Sequence, residues 1–153
     1  MDYVRETVKI EAPIGRVWCW VAGFGAMEPW CPAVKSVELE GHGVGSIRTV
    51  HLEGLISREQ LLEIDAAVHR IRYSLLEPGP LPLHNVRSTL QLFGLEANLT
   101  ELVWSSSADE AEPAIKAQVG TLVGGFYRAC LRELKVLLET ERHACRLGEP
   151  LDG

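Results

Sequence analysis

The feature that most constrains the fold is a long apolar stripe near the C-terminus. After Pro113, hydrophobic residues recur at helical spacing over about 28 residues. They are Ile115, Val119, Leu122, Phe126, Cys130, Leu134, Leu137 and Leu138. Helices of globular proteins average about 11–12 residues, so a helix of this length needs a large apolar surface against which to bury its stripe. The rest of the chain has to supply that surface.

The chain before this helix is rich in extended runs separated by turn residues. Seven runs are predicted as strands, at residues 3–11, 34–40, 46–52, 57–64, 69–76, 85–95 and 99–107. Between the first two, Pro13 suits the first turn of a short amphipathic helix that carries Val17 and Val21, and residues 26–33 form an irregular or short helical connection.

These elements predict an α+β fold in which a seven-stranded, bent antiparallel sheet wraps around the long C-terminal helix, with two short helices after the first strand. Such a sheet leaves a cavity wherever the facing side chains are too small to fill it. Gly120, Gly124 and Gly125 lie inside the long helix, where each costs up to about 1 kcal/mol relative to alanine. They therefore indicate close packing or deliberate space. We expect one domain over residues 1–145 and a flexible tail over residues 146–153.

Composition excludes several functions. The formal net charge is −6 without a basic run, which gives nucleic acid no electrostatic footprint. The N-terminus lacks the apolar core of a signal peptide, and no stretch reaches the roughly 18 apolar residues of a membrane span, so a cytoplasmic location is expected. The four cysteines form no C-x-x-C pair and the five histidines show no metal-binding spacing, so we expect neither a metal nor a cofactor.

Three glycines on alternate positions, Gly41, Gly43 and Gly45, resemble a phosphate-binding loop. Such a loop needs a following helix, whose free N–H groups face the anion. Here a strand-like run follows, and no Lys-Ser/Thr pair comes after the glycines. We therefore interpret the segment as a connection between antiparallel strands that forms a flexible rim of a pocket.

The order of elements and several local strings together resemble the START-like, or SRPBCC, superfamily of helix-grip proteins, and are closest in type to bacterial polyketide cyclase/dehydrase-like proteins. The matching strings are residues 10–13 with 17–18, residue 30 with 34–37, and residues 41–50, 85–90, 102–105 and 126–138. The resemblance covers nearly the whole chain. It implies a hydrophobic or amphipathic small-molecule ligand held between the sheet and the long helix.

The resemblance also implies which residues line that site. The predicted ligand-binding residues are Trp30, Val50, Leu52, Leu55, Leu61, Leu75, Val86, Ser88, Leu90, Leu122, Val123, Phe126 and Tyr127. Plant hormone receptors of the superfamily hold a ligand carboxylate with a lysine that would fall near Cys31, so recognition of that hormone is not expected here. Their two mobile loops correspond to residues 53–56 and 80–85, which we expect to border the cavity entrance.

Some polar residues could point into this apolar interior: Arg48, Glu59, Glu63, Tyr73 and Tyr127. A buried carboxylate has a raised pKa and could act as a general acid or base. We take Glu59, Tyr73 and the loop residue His84 as catalytic candidates. The alternatives are that Arg48 pairs with Glu59 across neighbouring strands, that the polar strand residues face water, and that His84 is an ordinary surface histidine.

Three functions remain open from the sequence. The first is binding of a hydrophobic or aromatic small molecule, either lipid or polyketide-like. The second is an enzyme of the polyketide cyclase/dehydratase kind, and the third is an interaction module whose cavity is filled by its own side chains. Whether the chain forms a homodimer is also open.

Overall fold

The computed structural model describes residues 2–146, with side chains described as far as residue 140. Its seven strands form one antiparallel sheet in the order β1-β7-β6-β5-β4-β3-β2. Their bounds are β1 Asp2–Ile10, β2 Ser36–Glu40, β3 Ile47–Leu52, β4 Leu55–Asp65, β5 Arg70–Leu75, β6 Arg87–Glu96 and β7 Leu99–Ser107. The helices are α1 Ile14–Val21, a 3₁₀ turn at Glu28–Trp30, and α2 Pro113–Arg146. The predicted α+β helix-grip architecture is confirmed.

The C-terminal helix α2 lies against the inner face of the sheet. Its stripe is fully buried at Cys130, Leu134 and Leu138, which belong to the main hydrophobic core. Leu122 differs, because 63% of its surface is exposed. The predicted boundary at residue 145 falls within α2, and residues 147–153 of the predicted tail lie outside the described residues. In the described part of the chain, no helix combines the length and apolar content needed to cross a membrane.

The three glycines of α2 have two different roles. A Cβ atom on Gly120 would lie 2.6 Å from the carbonyl oxygen of Tyr3, and one on Gly124 would lie 3.1 Å from a carboxylate oxygen of Glu6. These two glycines let the helix approach β1 closely. A Cβ atom on Gly125 would meet nothing closer than Arg128 Nη2, at 3.8 Å. Gly125 therefore leaves space.

The glycine-rich turn connects β2 to β3 and leads into a strand, as predicted. Its three glycines have φ values of +89°, +62° and +93° at Gly41, Gly43 and Gly45, which side chains rarely tolerate. The Gly45 N–H donates to the Leu61 carbonyl at 2.8 Å, and this ties the turn to β4. The expectation that it rims the pocket is wrong, because none of the three lines the main cavity. The turn lies at the opposite end of β3 from the entrance residue Leu52.

Candidate functional site

A cavity of about 460 Å³ lies between the inner face of the sheet and α2. This volume falls within the range of ligand pockets, roughly 300–1,000 Å³. Its apolar wall comes from β3, β5, β7, α2, the start of β4 and the loops at the entrance. The apolar and glycine lining consists of Met27, Ala33, Val50, Leu52, Leu55, Leu75, Pro80, Leu81, Trp104, Leu122, Val123, Gly125, Phe126 and Ala129. The polar lining consists of Tyr3, Arg48, Glu53, Ser57, Glu59, Tyr73, Ser88 and Tyr127.

The cavity brings together most of the residues predicted to line it. They are Val50, Leu52, Leu55, Leu75, Ser88, Leu122, Val123, Phe126 and Tyr127, together with the catalytic candidates Glu59 and Tyr73. Both loops expected at the entrance contribute, since Glu53 and Leu55 come from one and Pro80 and Leu81 from the other.

Four predicted lining residues lie away from the cavity wall. Trp30 is buried behind Trp104, with ring centroids 5.7 Å apart. Leu61 and Leu90 are almost fully buried in the core. Val86 belongs to a separate small cluster with Leu83 and Val119. Leu61 and Leu90 do face inward, but at their positions along the strands other side chains fill the interior.

His84 is also outside the cavity, with 81% of its side chain exposed. Its Nδ1 lies 2.8 Å from Glu77 Oε1. That hydrogen bond and the charge of Glu77 raise the pKa of His84. The hydrogen bond with His84 lowers the pKa of Glu77. Of the three catalytic candidates, His84 is thus the one that does not line the cavity, and its catalytic role stays a prediction.

Glu63 turns outward because β4 contains a bulge. Leu61 pairs with Tyr73 and Glu63 with Arg72, so the register shifts by one residue between them. The carboxylate of Glu63 accepts hydrogen bonds from Arg70 Nε at 3.1 Å and Nη2 at 3.0 Å. The expectation that Glu63 could point inward is wrong for this reason.

An ion pair lies at one side of the cavity. Arg48 Nε donates to Glu59 Oε1 at 2.8 Å, and Arg48 Nη1 donates to the Phe24 carbonyl at 3.0 Å. Ser57 donates to the other carboxylate oxygen of Glu59, Oε2, at 2.9 Å. Both charged side chains are thus paired across neighbouring strands, and both also face inward. The sequence left inward-facing polar groups and a cross-strand pair as alternatives, and the structure combines them. Burial is the largest single influence on the pKa of Arg48 and lowers it, but the charge of Glu59, the nearby Tyr73 and the hydrogen bond to Glu59 together outweigh it, so the net shift is upward.

Hydroxyl groups form a second polar cluster. Tyr127 Oη and Ser88 Oγ are 3.3 Å apart, and Ser88 donates to Ser106 Oγ at 3.0 Å. Ser106 in turn donates to Tyr3 Oη at 3.0 Å. This cluster connects β6, β7, β1 and α2 through neutral groups.

Tyr73 lies in an aromatic environment, where its hydroxyl accepts a hydrogen bond from Trp104 Nε1 at 3.1 Å. Trp104 stacks on Tyr127 with ring centroids 3.9 Å apart and an interplanar angle of 8°. The chain contains three tyrosines, and Tyr3, Tyr73 and Tyr127 all line the cavity. Burial is the main cause that raises the pKa of each one. All three therefore stay neutral near pH 7 and can donate hydrogen bonds.

Several lining residues were not predicted. Ser57 could have been found, because it lies two residues before Glu59 on the same strand face. The alternation of Leu102, Trp104 and Ser106 on β7 similarly identifies Trp104 as inward. No comparable pattern in the sequence marks Met27, Ala33 or Ala129 as lining residues. Among the described residues, no group of three His, Cys, Asp or Glu side chains could hold a metal ion.

The fold and the cavity define a helix-grip protein with an internal pocket. The chain belongs to the family described as polyketide cyclase / dehydrase and lipid transport, whose model matches residues 1–139. The resemblance to the SRPBCC superfamily is thereby confirmed. No curated protein sequence matches the chain significantly.

Solved structures with the same fold include functionally different proteins. A protein from Nitrosospira multiformis is similar with a TM-score of 0.76 and 26% identity, over 92% of this chain and 98% of that chain. The Zhui aromatase/cyclase from Streptomyces sp. R1128 has a TM-score of 0.71 and 22% identity, over 98% and 97% of the two chains. Norcoclaurine synthase from Thalictrum flavum, solved in complex with dopamine and hydroxybenzaldehyde, has a TM-score of 0.74 and 17% identity, over 90% and 86%. At such identities the last two show the fold alone.

Proposed function

We propose that the protein binds a hydrophobic or aromatic small molecule in the cavity between the sheet and α2. The observation that carries this proposal is a cavity of about 460 Å³ with a largely apolar lining, in which Arg48, Glu59, Ser88 and Tyr127 have protein partners for their polar groups. One water occupies about 30 Å³ in the liquid, so the space is far larger than a packing defect. The lipid- or polyketide-related chemistry of the family supports the same ligand class.

Native mass spectrometry of protein freshly purified from its host tests this proposal. A retained small molecule, removed by mild denaturation, is the expected result. Ligand binding should also raise the thermal midpoint in proportion to the logarithm of ligand concentration. If neither a retained molecule nor stabilisation by any apolar aromatic compound is found, the proposal fails.

A second candidate is an enzyme of the polyketide cyclase/dehydratase kind, and it is favoured by the family assignment. Positioning a flexible reactive chain in a shaped pocket can accelerate cyclisation without a catalytic triad. Within the cavity, Tyr73 is the candidate proton donor. Glu59 is a weak candidate base, because both its oxygens already accept hydrogen bonds from Arg48 and Ser57. Unchanged turnover in both Tyr73→Phe and Glu59→Gln would remove these assignments.

The third function open from the sequence required an interior filled by the protein's own side chains. The open cavity does not meet that condition. An interaction module is therefore not part of the proposed function.

A further inference from the structure

We propose that the cavity selects uncharged ligands that carry a hydrogen-bond-accepting oxygen, such as aromatic ketones, and discriminates against carboxylates. This inference rests on the proposed ligand-binding function and narrows it to a chemical class. It depends on how the ion pair between Arg48 and Glu59 uses its hydrogen-bonding groups.

The charged groups of the inner cavity neutralise each other. Arg48 and Glu59 leave only 5% and 12% of their side-chain surface exposed, and they neutralise each other at 2.8 Å. The remaining charged residue of the lining, Glu53, is at the rim, where 88% of its side chain is exposed and it pairs with Lys35. The inner cavity therefore has no net charge to offset the desolvation of an anion. A carboxylate near Arg48 would also be repelled by Glu59.

One nitrogen of the Arg48 guanidinium remains available as a hydrogen-bond donor. Arg48 uses Nε for Glu59 and Nη1 for the Phe24 carbonyl, whereas Nη2 has no hydrogen-bond partner among the described residues. In the described part of the chain, Trp30 Nε1 is the one side-chain nitrogen or oxygen that is fully enclosed and has no hydrogen-bond partner. Arg48 Nη2 also lacks a partner there, and it is therefore not fully enclosed. Arg48 lines the cavity and its Nη2 is accessible, so we take the two N–H groups of Nη2 as the donors for a ligand oxygen.

The Glu59 carboxylate and the aromatic lining further limit the ligands that fit. Both carboxylate oxygens of Glu59 already accept hydrogen bonds, so the ion pair favours a ligand that accepts over one that donates. The lining also contains Phe126 and the stacked rings of Trp104 and Tyr127. Such rings suit a flat aromatic body by offset or edge contacts. A neutral aromatic ring with a carbonyl group fits both the donor and the aromatic lining.

Three naphthalenes of similar shape test the inference: 2-acetylnaphthalene, 2-isopropylnaphthalene and 2-naphthoate. Their affinities for the full chain are measured at pH 7.5 by calorimetry. The ketone is expected to bind about tenfold more tightly than the hydrocarbon, since a hydrogen bond to a charged donor is worth at least that much. The carboxylate is expected to bind at least about tenfold more weakly than the ketone.

The deciding variant is Glu59→Gln, which keeps the shape and leaves the Arg48 charge unpaired. The order should reverse, with the carboxylate binding more tightly than the ketone. The matched control is Glu63→Gln, which removes a carboxylate from the outer face of the same strand and should leave the order unchanged. If Glu59→Gln does not fold, the double variant Arg48→Met/Glu59→Met decides. It removes both charges and leaves no side-chain N–H donor at either position, so ketone and hydrocarbon should then bind about equally.

Equal or tighter binding of the carboxylate by the unmodified protein would overturn the inference. So would an unchanged order in Glu59→Gln, or a ketone preference that survives in the double variant. Failure of all three compounds to bind also overturns the inference, and if native mass spectrometry in addition finds no retained molecule, ligand binding itself is contradicted. That outcome is distinct from binding with the wrong selectivity.

Discussion

The carbonyl oxygen of Tyr3 lies 2.6 Å from the position that a Cβ atom on Gly120 would take. Real Cβ atoms do not approach a backbone oxygen so closely, and so helix α2 or strand β1 would have to move to make room. We expect Gly120→Ala to destabilise the protein by about 1–3 kcal/mol through overpacking. This loss should outweigh the gain of up to about 1 kcal/mol in helix propensity. Urea denaturation measures the difference.

The control is Gly125→Ala, which makes the same chemical change in the same helix. A Cβ atom there meets nothing closer than 3.8 Å, so stability should be unchanged or higher. Equal losses in the two variants would show that backbone flexibility, and not the contact with Tyr3, accounts for the effect.

Gly125 also offers a way to close the cavity. Because this residue lines it, we expect Gly125→Leu to fill part of the space and weaken binding of 2-acetylnaphthalene by at least about tenfold, while the fold persists. The comparison is Thr121→Leu, a leucine added one turn earlier at an exposed position. If both variants bind the ketone like the unmodified protein, the ligand does not occupy this cavity.

The tyrosines predict an alkaline limit to stability. All three have pKa values raised above the ordinary value of 10.0, chiefly because of burial. In the unfolded chain they ionise near pH 10, so their contribution is complete below that pH and is lost as the pH rises towards the folded-state values. Native protein should therefore show almost no tyrosinate absorbance at pH 10, and the free energy of unfolding should fall above it. A normal titration of even one tyrosine in the folded protein would contradict this.

The pair formed by His84 and Glu77 predicts a measurable but small effect. The pKa of His84 is raised above 6.5, so its favourable interaction is present below that value and is lost as the pH rises through the folded-state pKa. Both groups are exposed, and the effect on stability should be slight. NMR titration should show that Glu77→Gln lowers the pKa of His84. The matched control is Glu53→Gln, which removes an exposed carboxylate paired with Lys35 and should leave the pKa of His84 unchanged.

The fold could be predicted because it depends on patterns that are local in sequence. The stripe that ends in Leu134 and Leu138 required a large apolar partner, and the alternating runs supplied it. Alternation also gave the correct phase for Val50 and Ser88. It could not distinguish them from Leu61 and Leu90, because the depth of the cavity depends on packing across several strands.

Two other differences between the predicted and the observed positions have specific physical causes. The outward turn of Glu63 follows from a one-residue bulge in β4, and nothing in the local composition marks that bulge. His84 was placed near the mouth because its loop borders the entrance, and that loop does contribute Leu81 to the cavity. The carboxylate of Glu77, seven residues earlier in the chain, instead holds the imidazole at the surface.

All three tyrosines of the chain line the same cavity, so a label placed on every tyrosine is a label placed only on the cavity wall. Replacing tyrosine throughout the chain with 3-fluorotyrosine would put ¹⁹F nuclei at Tyr3, Tyr73 and Tyr127, and nowhere else. Each resonance would then report from a different element that lines the same space: β1, β5 and α2. One-dimensional spectra could follow ligand entry and exit without a designed probe or an assigned protein spectrum.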